Sequence, residues 1–288
     1  MRASATAKLA EQTNICWRAT QWVDSYCNQP LRADVVQEEE TGPNFRLTVP
    51  PSGSSSAEWL LSRWPITRVY GGRYAPTSAF PPTWTDLTET KFQLVHPVDT
   101  LTSTYPDASG DGPMLLRIAP GIITWWYGRG AWRVQVAYLN GWAHTSLSEN
   151  AEAGATELHV DTVTGWVIPT QSITGQVYDG GMTETATVSG VVALTPITVF
   201  GTQVETGPGT LTLKTPLLET HAKGTLFTTL PWNVIWASIE VCVAQALTRG
   251  AEAVVAPGMP GSMTSSKGTV TALYKDAKSI LDVYKRIL

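Results

Sequence analysis

The sequence predicts an α+β fold, with N- and C-terminal helices packed with a strand-rich body, plus an inserted small β-barrel. Three observations predict it: apolar residues recur at helical spacing near both ends, the middle alternates as strands do, and one later stretch changes composition abruptly. The 288 residues are enough to bury a substantial core. Only 15% are charged, against about a quarter in an average soluble domain, so much of the surface is built from Thr, Ser, Gly and Gln.

In the first element, Leu9, Cys16, Ala19, Val23 and Tyr26 recur at three-, four- and seven-residue steps, with Trp22 beside them. That spacing predicts one long amphipathic helix over 3–27. Asn28-Gln29-Pro30 ends it, because proline supplies no backbone donor and restrains the residue before it. From about 33 to 148 the period changes: 45–49, 66–70 and 132–138 alternate as strands. Turn chemistry separates them at 50–54, Pro81-Pro82 and 109–113, and Gly71-Gly72 is read as a turn as well.

Residues 151–228 hold 18 Thr, two Lys and one of the chain's 12 Trp, Trp166. Short strands are expected at 157–160, 173–178, 184–188, 210–213 and 224–230. They are punctuated by Gly165, Asp179-Gly180-Gly181 and Gly207-Pro208-Gly209, the pattern of a small closed or half-closed barrel. Seven acids against two bases make this segment acidic.

Helical spacing then returns with Ile235, Ile239, Cys242, Val243, Ala246 and Leu247 on one stripe. A Pro/Gly breaker at 257–262 leads into a last helix carrying Val270, Leu273, Tyr274, Ala277, Leu281, Tyr284 and Leu288 along one side. Five bases against two acids over 267–288 make it basic, with the later cations complementing the carbonyl end of the helix. The organisation read from these shifts is 1–150, helix and strand-rich body; 151–228, inserted barrel; 229–266, helical return to the body; and 267–288, a basic helical arm.

The formal charge of −4 and pI near 5.6 argue against a sequence-wide electrostatic grip on nucleic acid or anionic membrane. No apolar run reaches the roughly 18 residues of a membrane span, and the polar start is unlike a signal core, so the chain is expected to be made and kept without secretion. Cys16, Cys27 and Cys242 form no zinc pair and read as small buried thiols in a reducing compartment.

His96, His144, His159 and His221 are scattered without metal-ligand spacing, so no metal and no cofactor is expected. Neither Gly-Gly pair continues as a phosphate loop, and Ser262 lacks a nucleophile elbow, so no catalytic residue is assigned and no enzyme is expected. Asp179, Glu184, Asp161 and Glu157 are oxygen donors of the kind calcium accepts, but they lack a calcium-loop spacing and read as solvated turn carboxylates. His221, before the last barrel strand, reads as a structural hydrogen-bonding residue.

The chain resembles the head-to-tail adaptor (head completion) proteins of long-tailed phages, particularly those of actinobacterial hosts. The residues that carry the resemblance are the N-terminal helix ending in Tyr26-Cys27, Trp64-Pro65-Ile66-Thr67-Arg68-Val69, Phe80-Pro81-Pro82-Thr83-Trp84 and Leu139-Asn140-Gly141-Trp142-Ala143-His144. Gln245-Ala246-Leu247-Thr248-Arg249-Gly250 and the basic C-terminal helix continue it. The insertion is similar to small phage barrel modules through Tyr178-Asp179-Gly180, Glu184-Thr185, Leu211-Thr212-Leu213 and His221-Ala222-Lys223-Gly224-Thr225.

The resemblance implies a structural virion protein in the neck at the portal vertex, made in the host cytoplasm. It would form a ring with itself, expected to have twelve copies, between the portal protein and a stopper or tail-completion protein. Genomic DNA would pass through without sequence-specific binding, and no membrane is involved. The arm at 268–288 is then expected to dock on the portal, anchoring through Tyr274, Leu281, Tyr284, Ile287 and Leu288 while Lys275, Lys278, Lys285 and Arg286 meet acidic groups. Its plainer alternative is to pack on its own subunit as an ordinary last helix. A competing class is a carbohydrate-binding or adhesion protein, suggested by the Trp count, Trp125-Trp126-Tyr127 and the Thr-rich barrel.

Overall fold

The computed structural model describes residues 5–41, 46–48, 56–76, 79–95, 115–118, 132–166, 172–248 and 267–285. They belong to two compact units, Met1–Leu31 with Leu230–Leu288, and Arg32–Thr229. The fold is α+β, as predicted. The turn segments at 50–54 and 109–113 and the breaker at 257–262 lie outside the described residues.

The helical unit contains α1 (Ala5–Cys27), α2 (Trp232–Thr248) and α3 (Lys267–Leu281), the last continued by a 3₁₀ turn at Asp282–Tyr284. α1 ends where the sequence predicts, but the device begins before the proline. Asn28 adopts φ +56°, and the N–H groups of Asn28 and Gln29 donate back to Ser25 O (3.3 Å) and Asp24 O (3.1 Å), the paired bonds of a Schellman cap.

The buried stripe of α1 is Ile15, Ala19, Val23 and Cys27, a phase shifted from the expected one. Cys16 is exposed and Tyr26 half-buried, so the expectation of three buried thiols holds only for Cys27. α2 departs in the same way. It buries Val234, Ala237, Val241, Ala244 and Ala246 and leaves Ile239 exposed, because apolar residues lie on all its sides and only the partner helices select a face.

The other unit holds all sixteen strands of the described residues. The first eight are β1 (Asp34–Thr41), β2 (Arg46–Thr48), β3 (Ser56–Leu60), β4 (Ile66–Pro76), β5 (Thr85–Thr88), β6 (Phe92–Val95), β7 (Leu115–Ile118) and β8 (Trp132–Asn140). They form two antiparallel sheets, ordered β1-β8-β4-β5 and β2-β3-β7-β6. Both sheets contribute to one core that includes Val36, Leu87, Leu116, Ile118, Val134, Val136 and Tyr138. Gly71 and Gly72 lie inside β4, not in a turn. A Cβ at Gly72 would stand 2.4 Å from Gln135 O and 2.8 Å from the Phe92 ring, so glycine here permits close strand approach.

The barrel comprises β9 (His144–Ser146), β10 (Glu157–Val160), β11 (Ile173–Tyr178), β12 (Glu184–Ala193), β15 (Gly209–Leu213) and β16 (Leu226–Thr228). Between β12 and β15 runs the hairpin β13 (Ile197–Val199) and β14 (Thr202–Val204). The six barrel strands are ordered β10-β15-β12-β11-β16-β9. A bridge between Leu147 and Val160 brings the two ends of this sheet together, through Ser148 N–H to His159 O (2.9 Å) and Asp161 N–H to Ser146 O (3.0 Å). Bringing the ends together removes most of the free edge that a six-stranded sheet would expose.

The barrel is less separable than its composition suggests. β9 precedes the expected boundary at 151, and Val199 and Val204 of the hairpin pack with Tyr70, Ala137 and Leu139 of the body. Thr202 Oγ1 donates to Tyr70 O at 3.1 Å. The Arg73 guanidinium lies over both the Trp84 and Phe200 rings, at 4.6 and 5.3 Å. Strand β8 is thus covered on both faces, by the second sheet and by a hairpin from the barrel.

Candidate functional site

The residues expected to dock on a partner fall on α3 and its 3₁₀ extension. Leu281 and Tyr284 are buried in the helical unit itself. Tyr284 O–H donates to Asn233 Oδ1 (3.1 Å) on α2, and Gln29 Nε2 donates to Tyr284 O (3.0 Å). Their expected role as free anchors is therefore corrected: the apolar side of α3 closes this unit's own core, since a helix with one apolar stripe buries it against the nearest complementary helices. Tyr274 is half-buried, with its ring 5.2 Å from Trp22. Arg286, Ile287 and Leu288 lie outside the described residues.

What α3 presents outward is charge beside aromatic rings. Lys275, Lys278 and Lys285 are exposed. The ammonium groups of Lys278 and Lys285 lie 5.7 and 5.0 Å from the centre of the Tyr26 ring, which stacks on Trp22 at 5.3 Å. Tyr26 O–H donates to Asp282 Oδ1 at 2.5 Å, and that bond, with burial, pushes the phenol up to about 12. The group stays a neutral donor, and two cations lie against one ring. This patch can receive an anionic surface.

A second exposed surface is apolar. Trp232, Trp236 and Ile239, at i, i+4 and i+7 on α2, are 59%, 46% and 43% exposed. Trp236 Nε1 donates to Glu240 Oε1 at 2.9 Å, which fixes the ring against its own helix. The signal is present in the sequence as Trp232 and Trp236 four residues apart, on a helix whose apolar residues elsewhere also recur at helical spacing.

In the barrel, His221 is fully buried between two carboxylates. Nε2 lies 2.7 Å from Glu184 Oε1, and Nδ1 lies 3.3 Å from Asp179 Oδ2. Glu184 also accepts the N–H groups of Leu218 (2.9 Å) and Glu219 (3.3 Å). Burial alone would push the Glu184 carboxyl up, but the Leu218 N–H, the His221 ring and the Glu219 N–H together hold it below its ordinary range. The backbone of His221 exchanges bonds with Ala151, so this node ties the β11–β12 turn to the segments before β10 and β16.

Asp161 takes the Ser146 hydroxyl instead, and Glu157 is exposed on β10. Among the described residues no group of three or more His, Cys, Asp or Glu is arranged to hold a metal ion. His144 packs where burial, then the Arg32 charge, holds its imidazole below the usual value. Trp166, the one Trp of the Thr-rich segment, lies in the barrel core stacked on Phe227 at 4.1 Å and presents no exposed ring to a sugar. Trp125, Trp126 and Tyr127 lie outside the described residues, and among the described residues no helix is long and apolar enough to cross a membrane. Comparison with known proteins finds no matching family model, curated protein or solved structure.

Proposed function

We propose that this chain is a structural virion protein: an adaptor subunit that joins the portal at the capsid vertex to a stopper or tail protein. Copies form a ring, expected to number twelve, that lines the DNA exit channel. The observation that carries this reading is the outer surface of the helical unit, where exposed Trp232, Trp236 and Ile239 stand on α2 and the Tyr26–Lys278–Lys285 cluster stands beside α3. Large exposed aromatic side chains anchor protein interfaces, and exposed lysines add orientation and on-rate to a docking partner of opposite charge. The low overall charge suits a conduit, because a strongly basic wall would retain a moving polyanion.

Truncating the last helix would remove Ala277, Leu281 and Tyr284 from the core and confuse docking with unfolding, so surface substitutions are the sharper test. The combined Lys275→Glu, Lys278→Glu and Lys285→Glu variant and, separately, the Trp232→Ala, Trp236→Ala variant are mixed with portal-bearing heads and sedimented. Both are expected to keep native circular dichroism and to lose most of the head-bound fraction. Attachment at the level of the unaltered protein by both variants overturns the reading.

A further inference from the structure

The β13–β14 hairpin belongs to the barrel by connection and to the body by contact. It leaves the barrel after Ala193 and returns at Gly209. At its base Ala193 N–H donates to Glu205 Oε2 (2.8 Å) and Leu194 N–H to Pro208 O (2.9 Å). Its turn and the strand after it rest on β4 and β8 of the body. Two backbone irregularities meet there.

The first lies in the hairpin turn. Val199 pairs with Thr202, so Phe200 and Gly201 alone make the turn, and both have positive φ, +46° and +80°. This is the sign pattern of a two-residue type I′ turn, whose first position favours Asn, Asp or Gly. A Cβ at positive φ crowds the backbone carbonyl, and a phenyl side chain has no polar atom to offset that cost locally. The second lies in β4. Its pairing with β8 passes from Val69 to Gly71, which leaves Tyr70 as the extra residue of a bulge, and Gly71 takes φ +138°. Thr202 of the hairpin donates its hydroxyl to the carbonyl of this bulged Tyr70.

Contact with the body holds the unfavourable turn in place. Phe200 packs against the cluster of Tyr70, Ala137, Leu139, Val199 and Val204. The Arg73 guanidinium over its ring is itself fixed from the body side, with Nε donating to Gln135 Oε1 at 2.6 Å. Each hairpin strand has only three residues, and a pair so short does not keep its hydrogen bonds in water once undocked.

We propose that the hairpin is a releasable clasp between barrel and body: it opens as a unit while both cores stay closed, with strain at Phe200 favouring release and the seating of the Phe200 ring opposing it. Opening bares Ala137 and Leu139 of β8 and Tyr70 of β4, all buried when the clasp is shut. A segment with few buried contacts of its own, held at a strained residue, has two discrete arrangements and opens more readily than the cores it joins. The clasp rests on no part of the adaptor reading.

The test is hydrogen exchange of the full-length protein followed by peptide mass spectrometry. In the unaltered chain the peptide over 197–204 is expected to exchange at least about a hundredfold faster than peptides over β15 and β16. Phe200→Ala keeps a Cβ at positive φ and removes the ring; it is expected to quicken exchange in the hairpin about tenfold and leave β15 and β16 unchanged. Phe200→Asn removes the same ring but suits the turn, and is expected to quicken it less than Phe200→Ala does. Arg73→Ala, on the body side, is expected to quicken the hairpin about threefold. Hairpin exchange no faster than that of β15 and β16, no response to Phe200→Ala or to Arg73→Ala, or an Asn variant that opens as much as the Ala variant each overturns the proposal. Should a variant fail to fold, the comparison of hairpin with barrel in the unaltered chain decides alone.

Discussion

In the barrel, Trp166, Val177, Leu211 and Phe227 are enclosed by strands whose ends nearly meet, and the exposed side is dressed with Thr pairs such as Thr174–Thr187. In the helical unit α2 buries only small and β-branched residues, Val234, Ala237, Val241, Ala244 and Ala246, while Trp17, Trp232 and Trp236 stand at the surface. The contrast teaches where each region's large apolar side chains are directed. The barrel turns the rings of Trp166 and Phe227 inward and exposes aliphatic side chains such as Leu194 and Leu218; the helical unit exposes the indoles of Trp17, Trp232 and Trp236. Buried aromatic area is a main source of stability in the first, and in the second much of the aromatic area stays in water.

The largest expected effect breaks the barrel side of that contrast. Phe227→Ala removes a fully buried ring against which Trp166 stacks and is expected to cost about 3–5 kcal/mol in chemical denaturation. A loss under about 1 kcal/mol would mean that the barrel core is not a main source of stability.

Next comes the polar node. Glu184→Gln leaves His221 facing an amide and is expected to cost about 1–3 kcal/mol near neutral pH. The carboxyl is held below its ordinary value of 4.5 in the folded chain. Its contribution is therefore complete above that value and lost as pH falls through the folded-state value. Denaturation midpoints measured from pH 7 to pH 3 should fall more steeply below about pH 4.5 in the unaltered protein than in Glu184→Gln. Parallel curves would contradict the assignment. His144, held below 6.5 by burial, weakens both proteins as pH falls below that value and cancels in the difference.

The smallest effect sharpens the helical side. Tyr284→Phe keeps the buried ring and loses the hydroxyl, which donates to Asn233 Oδ1 and accepts from Asn233 Nδ2. It is expected to cost about 1 kcal/mol, read as a shift in the denaturation midpoint. A loss of several kcal/mol would place far more of the unit's stability in that hydroxyl than in its apolar packing.

Much of the barrel was legible. The strands at 157–160 and 173–178 occupy the predicted positions, because period-two alternation bounded by Gly-rich turns admits few other readings. The third barrel strand runs on to Ala193, past the expected end at 188, and β9 and the β13–β14 hairpin went unread. Three-residue strands carry too little alternation to be recognised without their partners. Of the candidate site, the lysines of the last helix were visible as a charge excess. That Leu281 and Tyr284 face inward was not, since an apolar stripe looks the same whether its own chain or another covers it.

Helix α1 shows the division most plainly. Its existence and its end at Asn28 were written in residue spacing and in a left-handed capping position, which are local properties of the chain. Which stripe it buries, Ile15 with Cys27 in place of Cys16 with Tyr26, depended on where α2 and α3 came to rest. The same holds for the two carboxylates around His221. The sequence alone determined the kinds of element, their order and the local charge. Tertiary structure decided which faces meet, because contacts between residues far apart in the chain are set by packing and leave no periodic trace in either segment.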